Sequence, residues 1–275
     1  MNQNKNVIHN LKAGVFSWFG WRIHISQRAQ LIKNAGFDAT CLWWADDEKA
    51  NTGSLDDLPK IVRDSGLEID NVHVPFKEAH LLSSENSPER RKMVDLHKQW
   101  IDDCTRHNIK KLVFHTCPDC PNPPAPNKLL LDSVCEILKF AESAKVILAV
   151  ENIRRSDYVD IVFERFDSEY LRFCYDSGHD FIWNSRPTDI LKKWGHKLAA
   201  THLHDNKGFD DDHMLPFTGK IDWRKIVLNW PKDYKGVLML EVLGDPNTQS
   251  AENFMKNAFE SITKLKVIKA RPPQQ

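Results

Sequence analysis

Residues 172–206 read RFCYDSGHDFIWNSRPTDILKKWGHKLAATHLHDN. Two short apolar runs, Arg172–Asp176 and Leu198–Leu203, have β-strand composition, and Thr188–Trp194 between them has amphipathic helical spacing. A strand, a helix and a second strand in so short a span form a parallel pair with a right-handed crossover. Both runs also carry Asp or His at or next to their last residue, so the chain delivers polar groups at one end of the pair. The same alternation continues in both directions. Upstream lie strand candidates at Ala13–Phe16, Ala39–Trp43, Ile69–Val74, Lys111–His115 and Ile147–Glu151, and downstream lies Val237–Val242. Helical patterns separate them. Ile25–Ala35 is closed by Gly36 and Leu55–Ser65 by Gly66, while a proline in the first turn opens Pro88–His107. Asn127–Ala144, Ser156–Phe166, Asp222–Leu228 and Ala251–Leu265 follow. Eight such units close a barrel. The expected fold is therefore α/β, a single (β/α)₈ TIM barrel over residues 1–270, with 271–275 as a flexible C-terminal tail. A doubly wound open sheet would want a Gly-rich phosphate turn, and the chain contains no G-x-G-x-x-G.

The composition narrows the partners. Lys plus Arg equals Asp plus Glu at 38 each, so no basic excess marks a nucleic-acid binder. No apolar run reaches the length of a membrane span. The opening MNQNKNVIHN lacks the apolar core of a secretion signal. The six cysteines, at 41, 104, 117, 120, 135 and 174, have no repeated spacing. They read as reduced thiols of a cytoplasmic protein. Cys117 and Cys120 sit in the proline-rich CPDCPNPPAP without a second pair to complete a zinc site, so they read as a loop pair. A homo-oligomer is compatible with all of this.

In a β/α barrel the C-terminal strand ends converge on the active site. Here six successive strands end in His73, His115, Glu151, Asp176, His202 and Glu241. One such Glu alone would read as a salt-bridge partner, for example of Arg154 or Arg155. Three carboxylates crowded into one mouth repel unless a cation sits among them. With one imidazole they make a mostly oxygen-donor set that suits Mn²⁺, Zn²⁺, Co²⁺ or Mg²⁺. Aromatic residues crowd the same rim. Trp18, Trp43, Phe76 and Trp183 are candidate pocket walls, because flat rings with a polar floor suit the C–H faces of sugars. Phe19, Trp21 and Trp44 share that neighbourhood, and Trp100, Trp194, Trp223 and Trp230 read as core.

The motifs Cys174-Tyr175-Asp176-Ser177-Gly178-His179, Thr201-His202-Leu203-His204-Asp205-Asn206 and Asp211-Asp212-His213, running on to Gly219-Lys220-Ile221-Asp222-Trp223, carry a family resemblance. The chain resembles the xylose isomerase-like β/α-barrel superfamily over nearly its whole length. That superfamily holds sugar and sugar-phosphate isomerases, keto-sugar 3-epimerases and endonuclease IV, the family 2 AP endonucleases. In the epimerase branch, residues matching Glu151, Asp176, His202 and Glu241 hold one metal, the two glutamates also act as acid and base, and the match of His179 lies by the substrate. The endonuclease branch holds three zinc ions. There His73 and His115 match the second ion's ligands with Glu151 bridging, and His179, Asp211 and His213 match the third's. This outer set thus reads either as ligands of a second or third metal or as groups that bind substrate. Two departures point away from the endonuclease: Gly14-Val15-Phe16-Ser17-Trp18 replaces its His-x-Ser, and the loop after the second strand carries Asp46, Asp47 and Glu48, which repel a phosphate backbone.

The expected function is a divalent-metal-dependent isomerase or epimerase of a sugar, sugar phosphate or related polyol, with Glu151 and Glu241 as catalytic carboxylates. The fifth and eighth strands are expected to face each other across the barrel, which would set the two glutamates on opposite faces of one carbon. The alternatives are an endonuclease IV-like phosphodiester hydrolase acting on abasic DNA, and a non-catalytic barrel with a binding role, which intact Glu151 and Glu241 disfavour.

Overall fold

Every candidate strand forms. In chain order they are Lys12–Phe16 (β1), Ala39–Trp43 (β2), Glu68–His73 (β3), Lys111–Phe114 (β4), Ile147–Glu151 (β5), Leu171–Asp176 (β6), Leu198–His202 (β7) and Val237–Leu240 (β8). The helices are Ile25–Ala35 (α1), Leu58–Asp64 (α2), Ser87–Arg106 (α3), Lys128–Ala144 (α4), Asp157–Arg165 (α5), Ser177–Trp183 (α6), Asp189–Trp194 (α7), Trp223–Leu228 (α8) and Ala251–Val267 (α9). The computed structural model describes residues 7–45 and 53–268. The acidic Asp46, Asp47 and Glu48 and the tail 271–275 lie outside the described residues. Among the described residues no helix is long and apolar enough to cross a membrane.

All named strand pairs are parallel, in the order β7-β6-β5-β4-β3-β2-β1-β8. The remaining seam, between β7 and β8, is nearly closed. Leu203 donates its N–H to Met239 at 2.8 Å and Glu241 donates to Leu203 at 3.2 Å. Below them the Thr201 hydroxyl donates to the Val237 carbonyl at 3.1 Å and accepts from the Met239 N–H at 3.0 Å. A side chain thus completes the ladder where the two backbones part.

Successive strand residues alternate between the barrel axis and the helices. Val113, Ala149, Cys174 and Ala200 pack together as one inner cluster, and Phe16, Ala39, Cys41, Val237 and Met239 as another. Two residues further along the same strands come His115, Glu151, Asp176, His202 and, from Met239, Glu241. The floor and the site are therefore consecutive layers of one barrel. The floor side chains of β5, β6 and β7 are small. The outward residues seat the helices: Phe163 of α5 meets Phe173 at 6.2 Å and Trp194 at 5.1 Å between ring centres. Each such burial contributes about 1.5–3 kcal/mol.

The glycine stops form as read. Gly36 (φ 105°) caps α1 through its N–H, and Gly66 (φ 78°) follows the last residues of α2. Two elements differ from the sequence expectation. The helix expected from Leu55 begins at Leu58, and α6, a helix absent from the sequence expectation, starts directly on the end of β6. Asp176 supplies the missing signal by accepting the His179 N–H at 2.7 Å, so one residue ends the strand and caps the helix.

Thr201→Val keeps the shape at the seam and removes the hydroxyl. It should cost about 1–3 kcal/mol, because the buried Met239 N–H loses its partner, while the Val237 C=O keeps the Tyr234 hydroxyl at 2.8 Å. Urea unfolding of parent and variant measures this; equal midpoints would mean the β7–β8 backbone contacts alone close the barrel.

Candidate metal and catalytic site

The six residues expected at the mouth do meet there. Glu151 is the hub. Its Oε2 lies 3.1 Å from His73 Nε2, 3.3 Å from His115 Nε2 and 3.0 Å from His202 Nδ1, and its Oε1 lies 3.2 Å from His179 Nδ1. Glu241 Oε2 stands 3.1 Å from the same His202 nitrogen. One ligand atom each from Glu151, Asp176, His202 and Glu241 falls within 4.8 Å of all the others. Arg154 and Arg155 do not take Glu151: they pair with Asp119 (2.9 Å) and Asp157. β5 and β8 do not face each other, since β6 and β7 separate them on one side of the ring. The two carboxylates nevertheless come within reach of one another.

The chemistry of these contacts fits a cation. Donor atoms around an ion with bonds of about 2.1 Å stand about 3.0–3.4 Å apart, which is the spacing seen around His202 Nδ1. His202 Nδ1, Glu241 Oε2, Glu151 Oε1 and both ring nitrogens of His115 are buried without hydrogen-bond geometry to any described group. Of these residues, Glu151, His202 and Glu241 belong with Asp176 to one group whose ligand atoms could share an ion. Three further imidazoles are anchored by one nitrogen to a backbone carbonyl: His73 Nδ1 to Val74 (2.8 Å), His179 Nδ1 to Asn152 (3.0 Å) and His213 Nδ1 to Glu241 (2.9 Å). A carbonyl only accepts, so those nitrogens carry protons. The other nitrogen of each then faces a carboxylate, at 3.1 Å for His73–Glu151 and 3.2 Å for both His179 and His213 to Asp211. Anchoring by one nitrogen and presenting the other is the habit of metal-binding histidine.

Asp211 and His213 arrive by a loop folded back on itself. Asp205 and Met214 exchange two backbone hydrogen bonds of 2.8 Å, which closes 206–213 into a flap over the β6–β8 rim. Asp205 holds the flap's base through four donors: the N–H groups of Asn206, Phe217 and Ile221 and the Trp223 indole. His213 takes φ +48°, a strained setting for a residue with a side chain. In return its ring stacks on His204 at 4.3 Å.

A cavity of about 110 Å³ opens above the site. Phe76 and Trp183 line it as expected. Trp183 stacks on His179 at 4.8 Å, and the Arg154 guanidinium lies 4.3 Å from the Trp183 ring centre. Trp43 packs behind, against His73 and Phe76, and Trp18 lies 5.6 Å from the Arg28 guanidinium; neither lines the cavity. Phe19, Trp21 and Trp44 are core, as are Trp100, Trp194, Trp223 and Trp230. Sequence reasoning missed Arg154 and Asp119 as cavity walls and His204 as a neighbour of Asp176. The first two follow turns whose direction spacing does not reveal. His204 had a signal, the His-x-His of 202–204, which period-two alternation sets on one face.

Opposite charges hold this cluster ionised. Burial alone would raise the Glu151 carboxyl, but the His202 and His115 imidazoles hold it well below its ordinary range. Glu241 is lowered likewise by His202 against its own burial. His202 is raised well above its usual value despite burial. The Cys174 thiol beneath it is itself pushed far up by burial and stays neutral, so the two glutamates supply that effect. Asp211 is held low by His179 and His213 against burial.

Residues 29–265 match the sequence model of the xylose isomerase-like TIM barrel family, and the chain belongs to that family. A protein of Sinorhizobium fredii is 28% identical over 236 residues, 74% of this chain and 75% of its own. Among solved structures, an L-ribulose 3-epimerase superposes with a TM-score of 0.73 at 16% identity, over 95% of this chain and 100% of its own. A D-tagatose 3-epimerase-like protein gives 0.71 at 20% identity, over 94% and 100%. At these identities the likeness establishes the shared fold.

His213 reports on the outer group. Burial would lower its pKa, and the Asp211 contact with the charge of Glu241 pushes it up to about 9. A pKa higher in the folded than in the unfolded chain gives stability that is whole below about 6.5 and lost as pH rises through about 9. In metal-free protein the His213 imidazole should titrate near 9 by NMR, and Asp211→Asn should return it towards its ordinary range. An unchanged His213 titration in that variant would assign the shift to Glu241 alone.

Proposed function

We propose that this chain is a divalent-metal-dependent isomerase or epimerase of a sugar, sugar phosphate or related polyol. The observation that carries this reading is the pair of ionised glutamates, Glu151 and Glu241, on the wall of one small cavity, both about 3 Å from the same His202 nitrogen. Glu151, Asp176, His202 and Glu241 would hold the ion. When bound, it supplies Lewis acidity to a carbonyl and the hydroxyl beside it. An ionised carboxylate at Glu151 or Glu241 can take the proton from the carbon that bears that hydroxyl, and the same or the other carboxylate can return it. Return at the same carbon gives an epimer; return at the former carbonyl carbon, with the hydroxyl proton passing to the former carbonyl oxygen, gives an aldose–ketose exchange. Phe76 and Trp183 offer flat faces to C–H groups, and Arg154 and Asp119 offer a donor and an acceptor for hydroxyls. Sugar 3-epimerases among the superposed structures support the class of chemistry. The six cysteines, all unpaired, support a cytoplasmic setting.

One observation favours a second reading. His73 and His115 gather on Glu151, and His179 and His213 gather on Asp211, so donors for two further ions are assembled beside the first group. Three ions would suit phosphodiester hydrolysis. Against it, Arg154 is the only Lys or Arg among the described residues lining the cavity, and Asp119 already pairs with it.

Incubation of metal-loaded protein with keto- and aldo-sugars in D₂O should place deuterium beside the carbonyl. Cleavage of an abasic-site duplex, with no sugar converted and three metal ions per chain, would overturn the reading in favour of the hydrolase. Glu151→Gln and Glu241→Gln should each lower turnover by about 10²-fold or more where proton transfer limits the rate. Asp176→Ala should release the metal and leave the barrel folded, which elemental analysis and circular dichroism read together.

A further inference from the structure

His204 differs in its anchoring from His73, His179 and His213, although it too lies in two clusters of possible ligands, with Asp176 and His179 and with Asp211 and His213. It is fully buried and lines no part of the cavity, so it meets no substrate. Its Nε2 lies 3.1 Å from each oxygen of Asp176 and 3.5 Å from Asp211 Oδ1. Its Nδ1 has no hydrogen-bond partner among the described residues. His73, His179 and His213 anchor one nitrogen on a backbone carbonyl and present the other; His204 has no such anchor. A carboxylate only accepts, so the proton of a neutral His204 belongs on Nε2 and is donated to Asp176. With Nε2 protonated, that nitrogen has no lone pair to give a metal.

The preceding residues build a seat for this ring. The Ser177 hydroxyl donates to the His204 carbonyl at 2.9 Å and accepts the His204 N–H at 3.0 Å, clamping its backbone from both sides. Gly178 leaves the space the ring needs: a Cβ there would fall 1.9 Å from His204 Cε1. His213 covers the far face. Asp176-Ser177-Gly178 thus receives the ring's proton, fixes its backbone and makes room for it, in that order.

We infer that His204 is a positioning residue: its Nε2–H holds the Asp176 carboxylate in the orientation that Glu151, His202 and Glu241 require for a shared cation. The His179 N–H fixes one Asp176 oxygen at 2.7 Å, and His204 reaches both oxygens, so together they leave the carboxylate no free rotation. The inference rests on the metal reading above. Hydrogen-bond partners of metal ligands are typically worth about 10- to 100-fold in metal affinity.

The test uses the full chain and Co²⁺ alone, whose visible absorption reports its ligand geometry. His204→Phe keeps a ring against Gly178 and His213 but donates nothing. It should weaken Co²⁺ binding by about 10- to 100-fold and alter the absorption. His204→Gln, whose amide reaches the place of Nε2, should restore most of the affinity. A Phe variant that is folded and binds Co²⁺ as the parent does, or a Gln variant no better than Phe, overturns the inference. Imidazole ¹⁵N shifts of unmodified metal-free protein need no variant: a protonated Nε2 on His204 supports the inference and a bare one sinks it. If the parent binds no Co²⁺, the metal reading fails, while the ¹⁵N shifts still decide whether His204 holds Asp176.

Discussion

Four imidazoles converge on one buried carboxylate, Glu151, and the rest of the architecture is arranged around that convergence. No local segment can produce it, because the contributors come from β3, β4 and β7 and from α6. A charge taken out of water is costly unless it is matched. Only the closed ring of strand ends brings enough opposite charge to one point. Small side chains in the layer beneath, Ala149, Cys174 and Ala200, let these ends approach the axis.

Much of this was legible in the sequence because a barrel translates linear order into position. Alternation fixes which residue of each strand faces the axis, and the strand end fixes its height, so His73 through Glu241 could be placed without knowing any contact. The beginnings of α2 and α6 were not legible. Ser177-Gly178 has poor intrinsic helicity, and α6 exists because Asp176 caps it and His204 needs the glycine's vacant side-chain space. Tertiary demand overrode propensity there. The aromatic rim divides in the same way: Phe76 and Trp183 line the cavity while Trp18 and Trp43 do not, since composition places a ring near the mouth but packing decides which face it shows.

The facing of strands was also misjudged from numbering alone. β5 and β8 are three steps apart around the ring, one short of diametric opposition, and their carboxylates still come within reach of one another. In the proposed reaction, the surroundings of Glu151 and Glu241 would set their division of labour. Glu151 is enclosed by imidazoles on both oxygens, whereas the Glu241 side chain is 21% exposed and meets one. Under that proposal, the more open carboxylate would have the freer path to a bound molecule.

The β7–β8 seam has a meaning beyond closure. It is the one junction of the barrel without a continuous ladder, and His202 and Glu241 stand on its two sides, 3.1 Å apart. Whatever is gripped by both residues also clasps the two edges of the sheet. Were the proposed ion bound there, occupancy of the site and integrity of the wall would be joined. Resistance to proteolysis and slow amide exchange near Thr201 and Met239 would then track loading, although neither residue touches the bound species.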